Sequence, residues 1–338
     1  MKKGVLLINL GSPDEPTPKA VGRYLNQFLM DPMVIDIPTP LRWLLVKGII
    51  VPFRKGKSAH AYQQVWKKEG SPLVLNSRDL LEKVRKDLGS EYHVAMGMRY
   101  GNPSIEAGLT ELKYAGVSSI LAIPLYPQYA ASSTETAVLE TMQKADSLGI
   151  AKLVSFIEPF YENPGYVAAV AATIENEMKS FQSNHLLFSF HGLPIKAVVK
   201  SCDLALSCLP GAGGCPSVGP SNKNCYRAHC YATARAVAQK LGLDKTSFSV
   251  GFQSRLTSRW IEPFTDTLLE EFAKRGVKKL LVACPSFVAD CLETLEEIQM
   301  RAKEDFLAFG GQELRLVPSL NSNPDWVDSL SSQIKKSL

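Results

Sequence analysis

Short apolar runs recur along the chain, near residues 5–10, 94–98, 120–125, 153–157, 186–190, 248–252, 280–283 and 314–317. Longer stretches of helical periodicity separate most of them, among them 104–114, 134–147, 165–179 and 263–274. An apolar run of four to six residues without polar interleaving reads as a strand buried on both faces, which favours parallel pairing. Strands that alternate with helices build βαβ units, and right-handed crossovers lay the helices on both faces of a sheet. The eight runs therefore predict an α/β protein with two doubly wound parallel sheets of about four strands each. Its 338 residues suit a first domain over 1–150, a second over 151–317, and a last helix over 318–338 that packs back on the first. Ligand clefts are expected at the carboxyl ends of the strands. No G-x-G-x-x-G follows the first run, so the dinucleotide fingerprint is absent.

Composition narrows the classes. Hydrophobic residues make up 45% and charged ones 21%, which excludes a disordered chain. The net charge is +5 and no Lys/Arg run exceeds two residues, so nucleic acid is not an expected partner, whereas a substrate carrying carboxylates would suit. Met1-Lys2-Lys3 before an apolar run imitates a secretory leader, but Asn9, Asp14 and Glu15 interrupt the pattern; a cytoplasmic protein is expected. The segment 41–53 is very apolar yet far short of the roughly 20 residues that span a bilayer. It reads as a core helix or as an exposed apolar lip. Its basic flanks, Lys47, Arg54, Lys55 and Lys57, would let such a lip rest peripherally on a membrane surface.

Two strand ends carry the candidate chemistry. The run 186–190 ends on His191-Gly192-Leu193-Pro194. A histidine there is held rigidly yet faces a crevice, so it could move a proton, ligate an ion, or simply cap a loop carbonyl. The run 280–283 leads into Asp290, Glu293 and Glu297. At helical spacing these three fall within about 60° of one another, while Glu296 projects elsewhere. Carboxylates stacked without lysines need a cation, shared protons or a wet groove. A histidine and acids delivered by two strand ends suit a divalent ion with oxygen and nitrogen ligands.

Together these segments resemble the ferrochelatases, which insert ferrous iron into a porphyrin. The family pattern apolar-Ser-x-His-Gly-apolar-Pro is matched from Phe188 to Pro194, and Asp-x-x-Glu-Thr-Leu-x-Glu by Asp290, Glu293, Thr294, Leu295 and Glu297. Further matches include Leu7–Pro13, Gly70-Ser71-Pro72, Met98-Arg99-Tyr100-Gly101, Tyr126-Pro127-Gln128-Tyr129 and Gly251-Phe252-Gln253-Ser254-Arg255. The resemblance implies two similar Rossmann-like halves with porphyrin between them. It also implies His191 as pyrrole base or iron ligand, Glu293 as iron ligand or opposing proton acceptor, and Asp290 and Glu297 as a path for ions or protons. It places Leu10, Tyr100, Tyr126 and Trp260 near the macrocycle and Arg99 and Ser77 at its propionates. The apolar lip belongs to relatives that use protoporphyrin; coproporphyrin III is the alternative substrate. A protein that only binds haem or iron is the reading from outside the enzymes. His60, His93, His185 and His229 read as surface or structural residues, and Cys291 stands where some relatives carry a histidine.

Five of the seven cysteines, Cys202, Cys208, Cys215, Cys225 and Cys230, crowd into an insert over 201–225 and the helix after it. This glycine- and proline-rich stretch has no packing periodicity and needs another source of order, which thiolates around a metal would supply. Because some ferrochelatases carry a [2Fe–2S] cluster and Cys230 matches a cysteine of cluster-free relatives, the resemblance implies a [2Fe–2S] cluster on Cys202, Cys208, Cys215 and Cys225, with Cys230 as the substitute ligand and Cys₄ zinc as the alternative.

Overall fold

A computed structural model describes residues 2–202 and 215–338. It divides into two compact units, one of Met1–Tyr126, Ala131–Glu158 and Asn321–Leu338, the other of Pro127–Ala130 and Pro159–Leu320.

The first unit is built on β1 (Lys3–Asn9), β2 (Tyr92–Met98), β3 (Ile120–Pro124) and β4 (Val154–Phe156), all parallel, in the order β2-β1-β3-β4. Leu6 and Ile8 of β1 and Ile120 of β3 face Ile105, Leu109 and Leu112 of the helix Ile105–Tyr114 in one buried cluster. That helix lies close to the sheet, since a Cβ on Gly108 would stand 2.6 Å from Leu6 Cδ1. The C-terminal helix Pro324–Ser337 packs on this unit, where Lys335 pairs with Asp87 at 3.2 Å and Lys83 Nζ donates to Ser322 O.

The second unit repeats the plan with β5 (His185–His191), β6 (Phe248–Gln253), β7 (Lys279–Ala283) and β8 (Glu313–Leu316), again parallel, in the order β6-β5-β7-β8. Leu187, Leu280 and Val282 pack with Leu269, Phe272, Ile298 and Phe306 from the helices. In each sheet the strand order reverses beside the central strand, between β1 and β3 and between β5 and β7. Crevices for ligands form at the carboxyl ends of strands at such a reversal.

Residues 39–65 are helical throughout, with π-helical Leu44–Ile50 in the middle. Leu41, Trp43, Leu44, Ile49 and Phe53 are exposed, while Val46 and Val51 turn inward. The core alternative for this segment would have buried all of them. No helix among the described residues is long and apolar enough to cross a membrane.

Candidate active site

His191 ends β5 at the reversal point of the second sheet. Its ring is half-buried between Trp260 and Phe287, with centroids at 6.3 and 6.2 Å. Nδ1 lies 2.6 Å from Gly192 O. A carbonyl only accepts, so Nδ1 carries a proton, and the proton that comes and goes is the one on Nε2. The main chain here is clamped from three sides. Tyr226 Oη donates to His191 O at 2.8 Å, Gly192 N donates to Gln253 O at 2.8 Å, and Pro194 bridges to Trp260. Glycine is required at 192, because a Cβ would sit 2.7 Å from Gln253 O.

The acidic segment follows β7, but its geometry departs from the expected stripe. Helix begins only at Leu292, and Leu295–Ala302 is π-helical. Asp290 therefore lies outside the helix; its Oδ1 accepts Thr294 Oγ1 and Ser319 N, each at 3.1 Å. The i→i+5 bonding of a π segment widens each turn, so spacing at 100° per residue does not apply. The Glu296–Arg301 pair, five residues apart with N···O at 3.0 Å, follows from that wider turn. Glu293 and Glu297 are both half-buried. Cys291 beside Glu293 has its thiol pushed well up, first by burial and then by the charge and hydrogen bonding of Glu293. It is thus a neutral thiol. Of the residues expected at a metal site, His191 ends β5, and Asp290, Glu293 and Glu297 follow β7. Among the described residues no three His, Cys, Asp or Glu side chains converge closely enough to hold an ion.

In the first unit Leu10 follows β1 and is half-buried, and its carbonyl accepts Tyr100 N at 2.8 Å. Tyr126, after β3, has a buried hydroxyl without a hydrogen-bond partner. Two expected propionate holders are otherwise engaged. The Ser77 hydroxyl is buried; it donates to Leu73 O at 2.7 Å and accepts Asn9 Nδ2 at 3.2 Å, which leaves no proton for a carboxylate. Arg99 already has a carboxylate partner in Asp31, at 2.5 Å, with Thr136 Oγ1 on its Nε and Glu140 at 3.8 Å. Tyr100 is fully buried and donates to the same Asp31 at 2.8 Å. Sequence reasoning missed Asp31, because an Asp before Pro in a loop reads only as turn chemistry. It also left Gln253 and Ser254 unassigned, although Gln253 ends the strand that pairs with β5 and Ser254 follows it.

The other histidines are structural or peripheral. His229 is buried, stacks on Tyr161 at 3.7 Å, accepts Tyr129 N on Nδ1 and donates to Lys223 O. Burial pulls its pKa down to about 4, against a weaker upward effect from the Lys223 carbonyl. His185, bonded to Ser249, is likewise held near 4 by burial and then by Arg275. His60 and His93 lie at the surface with Gln64 and Glu111 as partners.

Of the cluster cysteines, Cys208 lies outside the described residues. Cys202, Cys225 and Cys230 are buried thiols in no disulfide, and Cys215 is half-buried. Cys225 is pushed up to about 12, mainly by burial, with Cys202 and Cys215 close enough to add to the effect. Arg227 Nη1 donates to Cys215 Sγ at 3.1 Å. The thiols of Cys202, Cys215 and Cys225 are neighbours, and among the described residues no three His, Cys, Asp or Glu side chains form a group that holds a metal.

The sequence profile of the ferrochelatase family matches residues 2–338. Ferrochelatase of Coxiella burnetii is 48% identical over 339 residues, covering 100% of this chain and 94% of its own length. That of Stutzerimonas stutzeri is 48% identical over 332 residues, covering 97% and 96%. That of Legionella pneumophila is 42% identical over 340 residues, with 100% of both chains covered. Among solved structures, SirB from Bacillus subtilis with Fe3+ superposes with a TM-score of 0.56 at 14% identity, covering 100% of this chain and 96% of its own. CbiX, the terminal enzyme of siroheme biosynthesis in denitrifying bacteria, gives 0.51 at 13% identity, covering 99% and 100%. At such identities the two structures establish the fold alone.

Proposed function

The chain belongs to the ferrochelatase family, enzymes that insert ferrous iron into a porphyrin, and from that premise we propose that His191 is its general base and Glu293 its iron-facing acid. The observation that carries this is the fixed ring of His191: Nδ1 is committed to Gly192 O, so the proton that comes and goes is the one on Nε2, at the reversal point of the sheet. Metalation must remove two pyrrole protons while an ion sheds water. An imidazole whose Nδ1 is committed and whose Nε2 can take up a proton suits the first task, and half-buried carboxylates suit the second. In this reading Glu293 receives ferrous iron or the opposite proton, and Glu297 and Asp290 line the approach. Leu10, Tyr126 and Trp260 stand beside the macrocycle. Tyr100 and Arg99, which share Asp31, and Ser77, bonded to Leu73 and Asn9, are proposed to brace this part of the site.

Protoporphyrin is the proposed substrate. It is the more apolar candidate, and the exposed Leu41, Trp43, Leu44, Ile49 and Phe53 provide an apolar surface for it and for peripheral membrane contact. Anaerobic incubation with ferrous iron, read by loss of free-base fluorescence, tests this with protoporphyrin beside coproporphyrin III. Preference for coproporphyrin would overturn the substrate, and binding without insertion would overturn the roles of His191 and Glu293.

A [2Fe–2S] cluster on Cys202, Cys208, Cys215 and Cys225 belongs to the same proposal, with Cys230 as substitute and zinc as the competing metal. Soft thiol donors, the closeness of Cys202 and Cys215 to Cys225, and the Arg227 donor on Cys215 support it. When bound, the cluster would order the insert. Anaerobically purified protein should carry about two irons and two sulfides per chain. One equivalent of zinc and no colour would leave only the cysteine assignment standing.

A further inference from the structure

Gln253 and Ser254 join the two halves of the proposed chemistry. In the sheet Gln253 lies opposite His191, and its main-chain carbonyl holds Gly192 N at 2.8 Å. Its buried side chain points the other way, into the acidic helix. There Nε2 donates to Glu293 O at 2.9 Å and to Glu297 Oε2 at 3.3 Å. Ser189 Oγ, at 2.8 Å, and the Cys284 thiol, at 3.6 Å, both give protons to Gln253 Oε1. The amide cannot flip without facing Ser189 and Cys284 with its NH₂, so its orientation is set from β5 and β7.

Ser254 completes the grip. Its φ is +64°, one of three non-glycine residues in the left-handed region among the described residues. That conformation is disfavoured for a side chain with a Cβ. Here it turns two donors of one residue onto one carboxylate. Ser254 N meets Glu297 Oε1 at 2.8 Å and Ser254 Oγ meets Oε2 at 2.5 Å. Glu297 thus receives three donors from two consecutive residues, two on Oε2 and one on Oε1, so Oε1 keeps lone-pair capacity for a further partner.

We propose that Gln253 and Ser254 are positioning residues that lock the Glu297 carboxylate in one orientation relative to the His191 strand end, so that Glu297 meets incoming ferrous iron as a fixed acceptor. The strained backbone at Ser254 is kept because only there do N–H and O–H converge on the same carboxylate. This rests on the reading of Glu297 as part of the iron approach.

The test compares Ser254→Gly, Ser254→Ala, Gln253→Leu and Glu297→Gln as full-length proteins. Glycine accepts a left-handed backbone, so Ser254→Gly keeps the N–H donor, removes the hydroxyl and relieves the strain. Its melting temperature should equal or exceed that of the parent. Its KM for ferrous iron should rise about tenfold, as expected for loss of one hydrogen bond to a charged group. KM for porphyrin should not change, and cobalt(II) titrated calorimetrically without porphyrin should bind correspondingly more weakly. Ser254→Ala should show the same iron defect with a lower melting temperature, and Gln253→Leu a larger iron defect. If Glu297→Gln raises KM for iron and Ser254→Gly does not, the clamp is refuted and the approach reading stands. If Glu297→Gln leaves iron kinetics unchanged, the approach reading falls and the proposal with it. A Ser254→Gly protein that loses stability and all kinetic parameters alike would show a merely structural role.

Discussion

Replacing Asp31 by alanine should be among the most damaging single changes in the first unit. Its carboxylate accepts Arg99 Nη2 at 2.5 Å, Tyr100 Oη at 2.8 Å, Thr136 Oγ1 at 2.5 Å and Met33 N at 2.7 Å. The side chains of Asp31 and Arg99 are only 3% and 13% exposed, so water cannot replace the lost partner. Removing one member of a buried ion pair costs about 3–5 kcal/mol, because the other charge is left uncompensated. Glu140, 3.8 Å from Arg99 Nη1, retains part of the compensation and places the expected cost near the lower end, about 3–4 kcal/mol. That corresponds to a fall of about 10 °C in the melting temperature of a unit this size. Scanning calorimetry measures it directly. Replacing both partners, as Asp31→Leu with Arg99→Met, should recover much of the loss, since the desolvation penalty disappears with the charges. A shift below about 2 °C for Asp31→Ala, or a double variant worse than the single, would refute the buried-pair reasoning.

The remaining predictions concern the active site, the exposed helix and the buried histidines. His191→Ala and Glu293→Gln should each lower kcat by about 10²–10⁴-fold while absorbance titration shows porphyrin still bound; near-parental rates would remove both assignments. Trp43, Leu44 and Phe53 are exposed, so serine at all three should leave the melting temperature nearly unchanged and weaken sedimentation with liposomes. A large stability loss would place these side chains in a core. His229 and His185 have folded pKa values depressed to about 4, against about 6.5 unfolded. Their contribution to stability is complete above pH ~6.5 and is lost as the pH falls through 4, with a slope up to about 1.4 kcal/mol per pH unit for each. Urea midpoints between pH 7 and 4.5 measure it, and His229→Asn should flatten the curve.

Most of the architecture was legible along the chain because a fully buried parallel strand and an amphipathic helix each announce themselves locally. The strand at 186–190 and the turn at Gly192 followed from adjacent residues, and His191 is found at that strand's carboxyl end. The acidic helix was legible in composition but not in geometry. The hydrophobic pattern of 292–308 fits an α-helix, and only the bonding of the folded segment converts Leu295–Ala302 to π and leaves Asp290 outside it. Arg99 shows the same limit. Its guanidinium meets Asp31, 68 residues earlier, a partner that no local motif announces.

By itself, then, the amino-acid sequence determined the α/β class, the two parallel sheets, the family and the strand ends on which the proposed chemistry rests. Each of these depends on short-range periodicity, on backbone preferences at glycine and proline, or on motifs read within a few residues. Tertiary structure alone decided which donors face which acceptors. The tautomer of His191, the grip of Gln253 and Ser254 on Glu297 across 44 and 43 residues, and the burial of Asp31 with Arg99 all arise from side chains brought together by packing. Hydrogen-bond direction is set by distances of a few tenths of an ångström, and no spacing along the chain specifies those until the sheets have closed.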